Sequence, residues 1–79
     1  VLVNVEVPHS GGVKEKIMDS PELAEAVRNE ETALNGEGRV LVRASGTESL
    51  IRVMVEAKTT KIAQNTADSL VSLIKSLKF

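Results

Sequence analysis

The stretch Arg39-Val40-Leu41-Val42-Arg43-Ala44-Ser45-Gly46-Thr47-Glu48-Ser49-Leu50-Ile51-Arg52-Val53-Met54-Val55-Glu56-Ala57 decides the fold of this chain. Val40 and Val42 alternate with Leu41 and Arg43, and Ile51, Val53 and Val55 alternate with Arg52, Met54 and Glu56. A period of two sends successive side chains to opposite faces, so each run reads as a half-buried strand. The strands, Arg39–Arg43 and Leu50–Ala57, lie close enough to pair as a hairpin around Ala44–Ser49.

Such a hairpin needs a cover for its apolar face. Downstream, Thr59 and Thr60 both suit a helix cap, and the helix pattern runs to Leu77. Ile62, Ala63, Ala67, Leu70, Val71, Ile74 and Leu77 make its buried face, with lysines gathering towards its end. Upstream, Ser20-Pro21-Glu22 reads as a helix start. It offers a capping hydroxyl, a proline where no N–H is needed, and an acid at the positive end of the helix dipole. Leu23, Val27, Glu30 and Leu34 form a stripe interrupted once; Asn35-Gly36 stops the helix and Gly38 extends the turn. Leu2–Val7 reads as a strand with Val3, Val5 and Val7 on one face, ended by Pro8, which has no N–H for a ladder. His9-Ser10-Gly11-Gly12 is loop, and Val13–Asp19 fits either a short helical turn or an extended crossing. The order strand, helix, strand, strand, helix predicts an α+β two-layer sandwich, with both helices on one face of a mainly antiparallel sheet.

Seventy-nine residues make one small domain, which buries about 60–65% of its unfolded surface. The absence of cysteine excludes disulfide or thiolate staples and fits a reducing, cytoplasmic setting. A net charge of −1 and a single aromatic residue, Phe79, argue against a nucleic-acid partner, since basic surplus and stacking surface are both missing. No apolar run reaches the roughly 20 residues of a membrane span, so no membrane partner is expected. The chain opens on Val1 already inside a strand pattern. We read residues 1–79 as one domain taken from a longer polypeptide, with room for a further strand ahead of Val1.

The chemistry concentrates in the hairpin loop. A phosphate binds best to several short donors from different directions, with a planar guanidinium among them. Arg43 and Arg52 flank the loop, Ser45 and Thr47 bring hydroxyls, and Gly46 permits a turn closed to residues with a Cβ, so that backbone N–H groups converge. Glu48 has three readings: repelling an anion, holding an arginine, or accepting a bond from a sugar hydroxyl. Ser-Gly-Thr is also ordinary turn chemistry, and strand arginines are often simply solvated, so composition alone leaves both readings open. Elsewhere, His9 reads as a surface loop residue without a catalytic partner. Lys14-Glu15-Lys16 reads as a solvated face, and Met18 and Met54 as packing residues. Gly36-Glu37-Gly38 follows a helix and precedes a strand, the reverse of a dinucleotide loop.

The segment Gly38–Ala57, with Arg43-Ala44-Ser45-Gly46-Thr47-Glu48-Ser49 at its centre, closely resembles the C-terminal domain of the α-D-phosphohexomutases. Within that family it is most similar to the bacterial phosphoglucosamine mutase branch, where the segment typically reads R-P-S-G-T-E-P-x-x-R-V-M-x-E. Ala44 and Ser49 stand where that pattern has proline. The resemblance implies a TATA-binding-protein-like fold. It also implies that Arg43, Ser45, Gly46 and Thr47 grip the phosphate of a phosphosugar, with Arg52 as supporting charge and Glu48 beside them. It further implies a four-domain parent that converts glucosamine 6-phosphate to glucosamine 1-phosphate, towards peptidoglycan precursors, through a phosphoserine, a sugar bisphosphate and Mg²⁺. The serine loop, the Asp-rich Mg²⁺ loop and the sugar-specificity loop of that family have no counterpart here, and Asp19 and Asp68 are isolated. The expected partners are therefore a phosphosugar and the other domains of the parent. Neither catalytic residues nor a cofactor or metal site are expected within this chain. A related phosphomannomutase or phosphoglucomutase domain, a stand-alone α+β binding module and a structural interaction domain are the alternatives.

Overall fold

Ile51, Val53 and Val55 need apolar neighbours on every side, which the middle position in a covered sheet supplies. The computed structural model describes residues 1–9 and 11–77, and expectations touching Ser10, Lys78 and Phe79 lie outside the described residues. The elements are β1 (Leu2–Glu6), α1 (Val13–Met18), α2 (Pro21–Ala33), β2 (Arg39–Ala44), β3 (Leu50–Glu56) and α3 (Thr60–Ser76). The three strands form an antiparallel sheet in the order β1-β3-β2. Val5 lies opposite Ile51, Val3 and Val42 flank Val53, and Val40 lies opposite Val55. This register sends one valine- and isoleucine-rich face towards the helices, where Ile51, Val53 and Val55 are wholly buried.

The expected two-layer α+β arrangement is present, with helices packed on one face of the sheet. Ala63 and Ala67, four apart on α3, are buried against the strands; small side chains let the helix backbone approach closely. Leu70 and Ile74 continue that face. Thr59 caps the helix, its side chain accepting from the Ile62 N–H at 3.1 Å. Ile62 itself is 42% exposed, so it does not join the buried face assigned to it, and Thr66 takes a buried place instead. Val71 and Leu77 are half-buried.

Other boundaries shift with reason. Val7 lies beyond β1, yet its N–H still donates to Ser49 O at 2.9 Å, tying the strand end to the hairpin. The ambiguous Val13–Asp19 forms α1, anchored by the buried Ile17. Ser20 occupies the N-cap of α2 but makes no capping bond to the backbone; its hydroxyl donates to Glu22 Oε2 at 2.9 Å. Asn35 (φ 53°) and Gly36 (φ 79°) end α2 in left-handed conformation, as the Asn-Gly pair predicts. Gly38 is not a further turn residue: a Cβ there would lie 2.1 Å from Glu56 O, so its role is close strand approach. Met54 lies on the opposite, open face of the sheet beside Leu2 and Leu41, rather than in the core, while Met18 does pack against it.

Candidate functional site

Sheet alternation places both arginines. Val42 and Val53 face the helices, so Arg43 and Arg52, the next residue in one strand and the preceding one in the other, face away. The register sets Arg43 directly opposite Arg52, with Asn4 of β1 on the far side of Arg52. Like charges facing across a pair of strands repel, which makes this end of the sheet receptive to an anion.

The loop between them is closed by the Ser45 N–H donating to Leu50 O at 3.0 Å. Inside it, Ser45 Oγ accepts from the N–H of Glu48 at 3.1 Å and from that of Thr47 at 3.4 Å. The side chain thus shapes the turn from within. These two N–H groups point at Ser45 and not at a common point in solvent, which modifies the expected convergence of backbone donors. With its lone pairs so engaged, the Ser45 hydroxyl keeps its own proton to donate. Gly46 is not among the glycines at positive φ, and a Cβ there would meet nothing within 4 Å, so the turn itself does not demand glycine.

Arg43, Ala44, Ser45, Gly46, Thr47 and Arg52 line one open cavity of about 330 Å³. Every residue expected to grip phosphate therefore borders the same space. Glu48 borders a separate cavity of about 370 Å³, with Glu6, His9 and Ser49, and Thr47 stands between the two. Among the described residues no ion pair joins Glu48 to Arg43 or Arg52; the pairs present are Arg39–Glu56 at 3.6 Å and Lys58–Glu37 at 3.5 Å.

Two residues read as bystanders touch this loop. Lys14 is not simply part of a solvated face: its Nζ donates to Ser45 O at 2.6 Å and to Glu48 O at 3.2 Å. His9 has a partner after all, its Nδ1 lying 2.6 Å from Ser49 Oγ. No local pattern links residues so far apart in sequence, and only the folded hairpin brings them together. For a metal, the donors do not fit: among the described residues no three His, Cys, Asp or Glu side chains gather. No helix of the structure is long and apolar enough to cross a membrane.

Residues 2–73 match the family model described as "Phosphoglucomutase/phosphomannomutase, C-terminal domain". The chain belongs to that family. It is 49% identical over 77 residues to a phosphoglucosamine mutase of Carboxydothermus hydrogenoformans, covering 98% of this chain and 16% of that one. Identity to the phosphoglucosamine mutase of Caldicellulosiruptor saccharolyticus is 47% over 76 residues, or 96% and 16% of the two chains. For that of Lactococcus lactis subsp. cremoris it is 41% over 75 residues, or 95% and 16%. The chain therefore spans about one sixth of the length of these relatives.

Proposed function

We propose that this chain is the substrate-phosphate-binding domain of a longer phosphoglucosamine mutase, which converts glucosamine 6-phosphate to glucosamine 1-phosphate. The observation that carries the reading is the meeting of Arg43, Arg52, Ser45 and Thr47 around one open cavity at the end of the sheet. Two guanidiniums give charge and planar forks, and two hydroxyls add short donors, which together match a phosphate monoester. The names and lengths of the relatives support placing the domain in a larger mutase of this specificity.

The task of such a domain is positioning. A clamp that touches only phosphate accepts either end of a sugar bisphosphate, so the sugar can reverse between two half-reactions while one phosphate stays held. The phosphoserine and Mg²⁺ of the reaction belong, in this reading, to other domains of the parent. Asp19 and Asp68 lie on separate parts of this chain, and among the described residues no three His, Cys, Asp or Glu side chains gather as a Mg²⁺ site would need. No step is therefore assigned to the metal here.

The test is an amide NMR titration of the 79-residue chain with glucosamine 6-phosphate, with plain glucosamine as control. Shifts centred on Arg43–Arg52 with the phosphorylated sugar alone are expected. In the full-length enzyme, Arg43→Ala removes one charge-assisted contact, of about 1.5–3 kcal/mol, so kcat/KM drops about 10- to 150-fold. An unchanged kcat/KM would sink the clamp assignment.

A further inference from the structure

Lys14 is out of place as a surface charge. It is half-buried on α1, and its ammonium reaches back across the fold to two backbone carbonyls of the hairpin loop, 31 and 34 residues away. Those carbonyls belong to Ser45 and Glu48, the two ends of the turn that Ser45 Oγ closes from within. The turn is thus fastened twice, by a hydroxyl inside it and a cation behind it. Nothing covalent does this work, because Ala44–Ser49 holds no proline and includes a glycine, a composition with many accessible backbone states.

The bonds also have an electrostatic sense. Carbonyl oxygens are the negative ends of the peptide dipoles, and an anion bound beside them is repelled. Lys14 draws the Ser45 and Glu48 carbonyls to itself. The Ser45 hydroxyl, Thr47 and the two arginines are left bordering the cavity. A rigid, donor-facing loop loses less ordering entropy on binding than a free one.

We propose that Lys14 is a positioning residue for the phosphate loop: by holding the Ser45 and Glu48 carbonyls it presets the donor arrangement and thereby sets affinity for the phosphosugar. The inference rests on the phosphate-site reading above. It is tested in the full-length enzyme that carries this chain, with Lys14→Met, which keeps the aliphatic stem, and Lys14→Arg, which keeps the charge. Two quantities are measured: hydrogen–deuterium exchange of the peptide spanning Arg43–Arg52, and steady-state kinetics with glucosamine 6-phosphate. Lys14→Met is expected to speed exchange in that peptide several-fold and raise KM about tenfold with kcat changed less than about twofold. Lys14→Arg restores most of both, and the urea midpoint of Lys14→Met stays near wild type. If Lys14→Met unfolds the domain, Lys14→Gln, which keeps a neutral donor on a shorter stem, serves in its place.

Wild-type exchange and KM in the variant would overturn the proposal. So would a raised KM with unchanged exchange, which would make Lys14 a direct phosphate ligand. Faster loop exchange in an enzyme whose Arg43→Ala variant keeps full kcat/KM would support the anchoring role and refute the phosphate site instead.

Discussion

Gly38 and Gly46 flank β2, and their constraints are opposite. A Cβ on Gly38 would lie 2.1 Å from Glu56 O and 2.9 Å from Ala57 Cα, both backbone atoms that cannot swing aside. Gly38→Ala is therefore expected to lower unfolding stability by about 3 kcal/mol, as overpacking does when nothing flexible yields. Gly46 has open space around it, and Gly46→Ala is expected to change stability by no more than about 0.5 kcal/mol. Urea titrations of the two variants check both; a Gly46→Ala loss as large as that of Gly38→Ala would reveal backbone strain in the loop. The sequence identifies both glycines but misassigns their reasons. A glycine pressed against a neighbouring strand and one in a turn look alike until the strands are paired. Arg43 and Arg52 were legible for the opposite reason: period-two alternation fixes the face of each without knowledge of the third dimension.

At the scale of elements, the two long helices begin differently although both starts carry a capping hydroxyl. Thr59 Oγ1 accepts from the Ile62 N–H, whereas the Ser20 hydroxyl is spent on Glu22. Thr59→Ala is expected to destabilise the domain by about 1 kcal/mol and Ser20→Ala to reduce it less, measured by urea unfolding. Equal losses would show that Ser20, which is buried, matters through packing as much as Thr59 does through its cap. Long elements were readable because thirteen or seventeen residues repeat their pattern several times. The six residues of α1 span fewer than two turns, too few for periodicity to separate helix from extended chain. Lys14 rides on that element, and for this reason the loop's outer fastening was invisible in the sequence. The contact of His9 with Ser49 was invisible there because the two stand 40 residues apart.

For the molecule as a whole, one sheet face carries stability and the other carries exposure. Ile51 is wholly buried under the helices; Leu41, on the open face, is 39% exposed. Ile51→Ala is expected to cost about 2–5 kcal/mol, a large share of the roughly 5–15 kcal/mol of a typical domain. Leu41→Ala should cost less than about 1 kcal/mol, in line with other surface changes. Circular dichroism melts of the two variants separate them, and a Leu41→Ala melt as low as that of Ile51→Ala would contradict the one-sided core. The core was largely legible because alternation in β1, β2 and β3 names its inward residues. Ile62 and Met54 were misplaced, since hydrophobicity alone does not say which side of an element its neighbours occupy.

The alternation along β3 has a consequence for how this chain can vary over time. Ile51, Val53 and Val55 answer to the interior, while Arg52, Met54 and Glu56 answer to whatever stands before the open face. Two sets of physical demands are therefore interleaved from Ile51 to Glu56, one residue apart. Substitution at Arg52, Met54 and Glu56 can retune what the domain meets without disturbing how it folds. A single inserted or deleted residue exchanges the two sets and abolishes both at once.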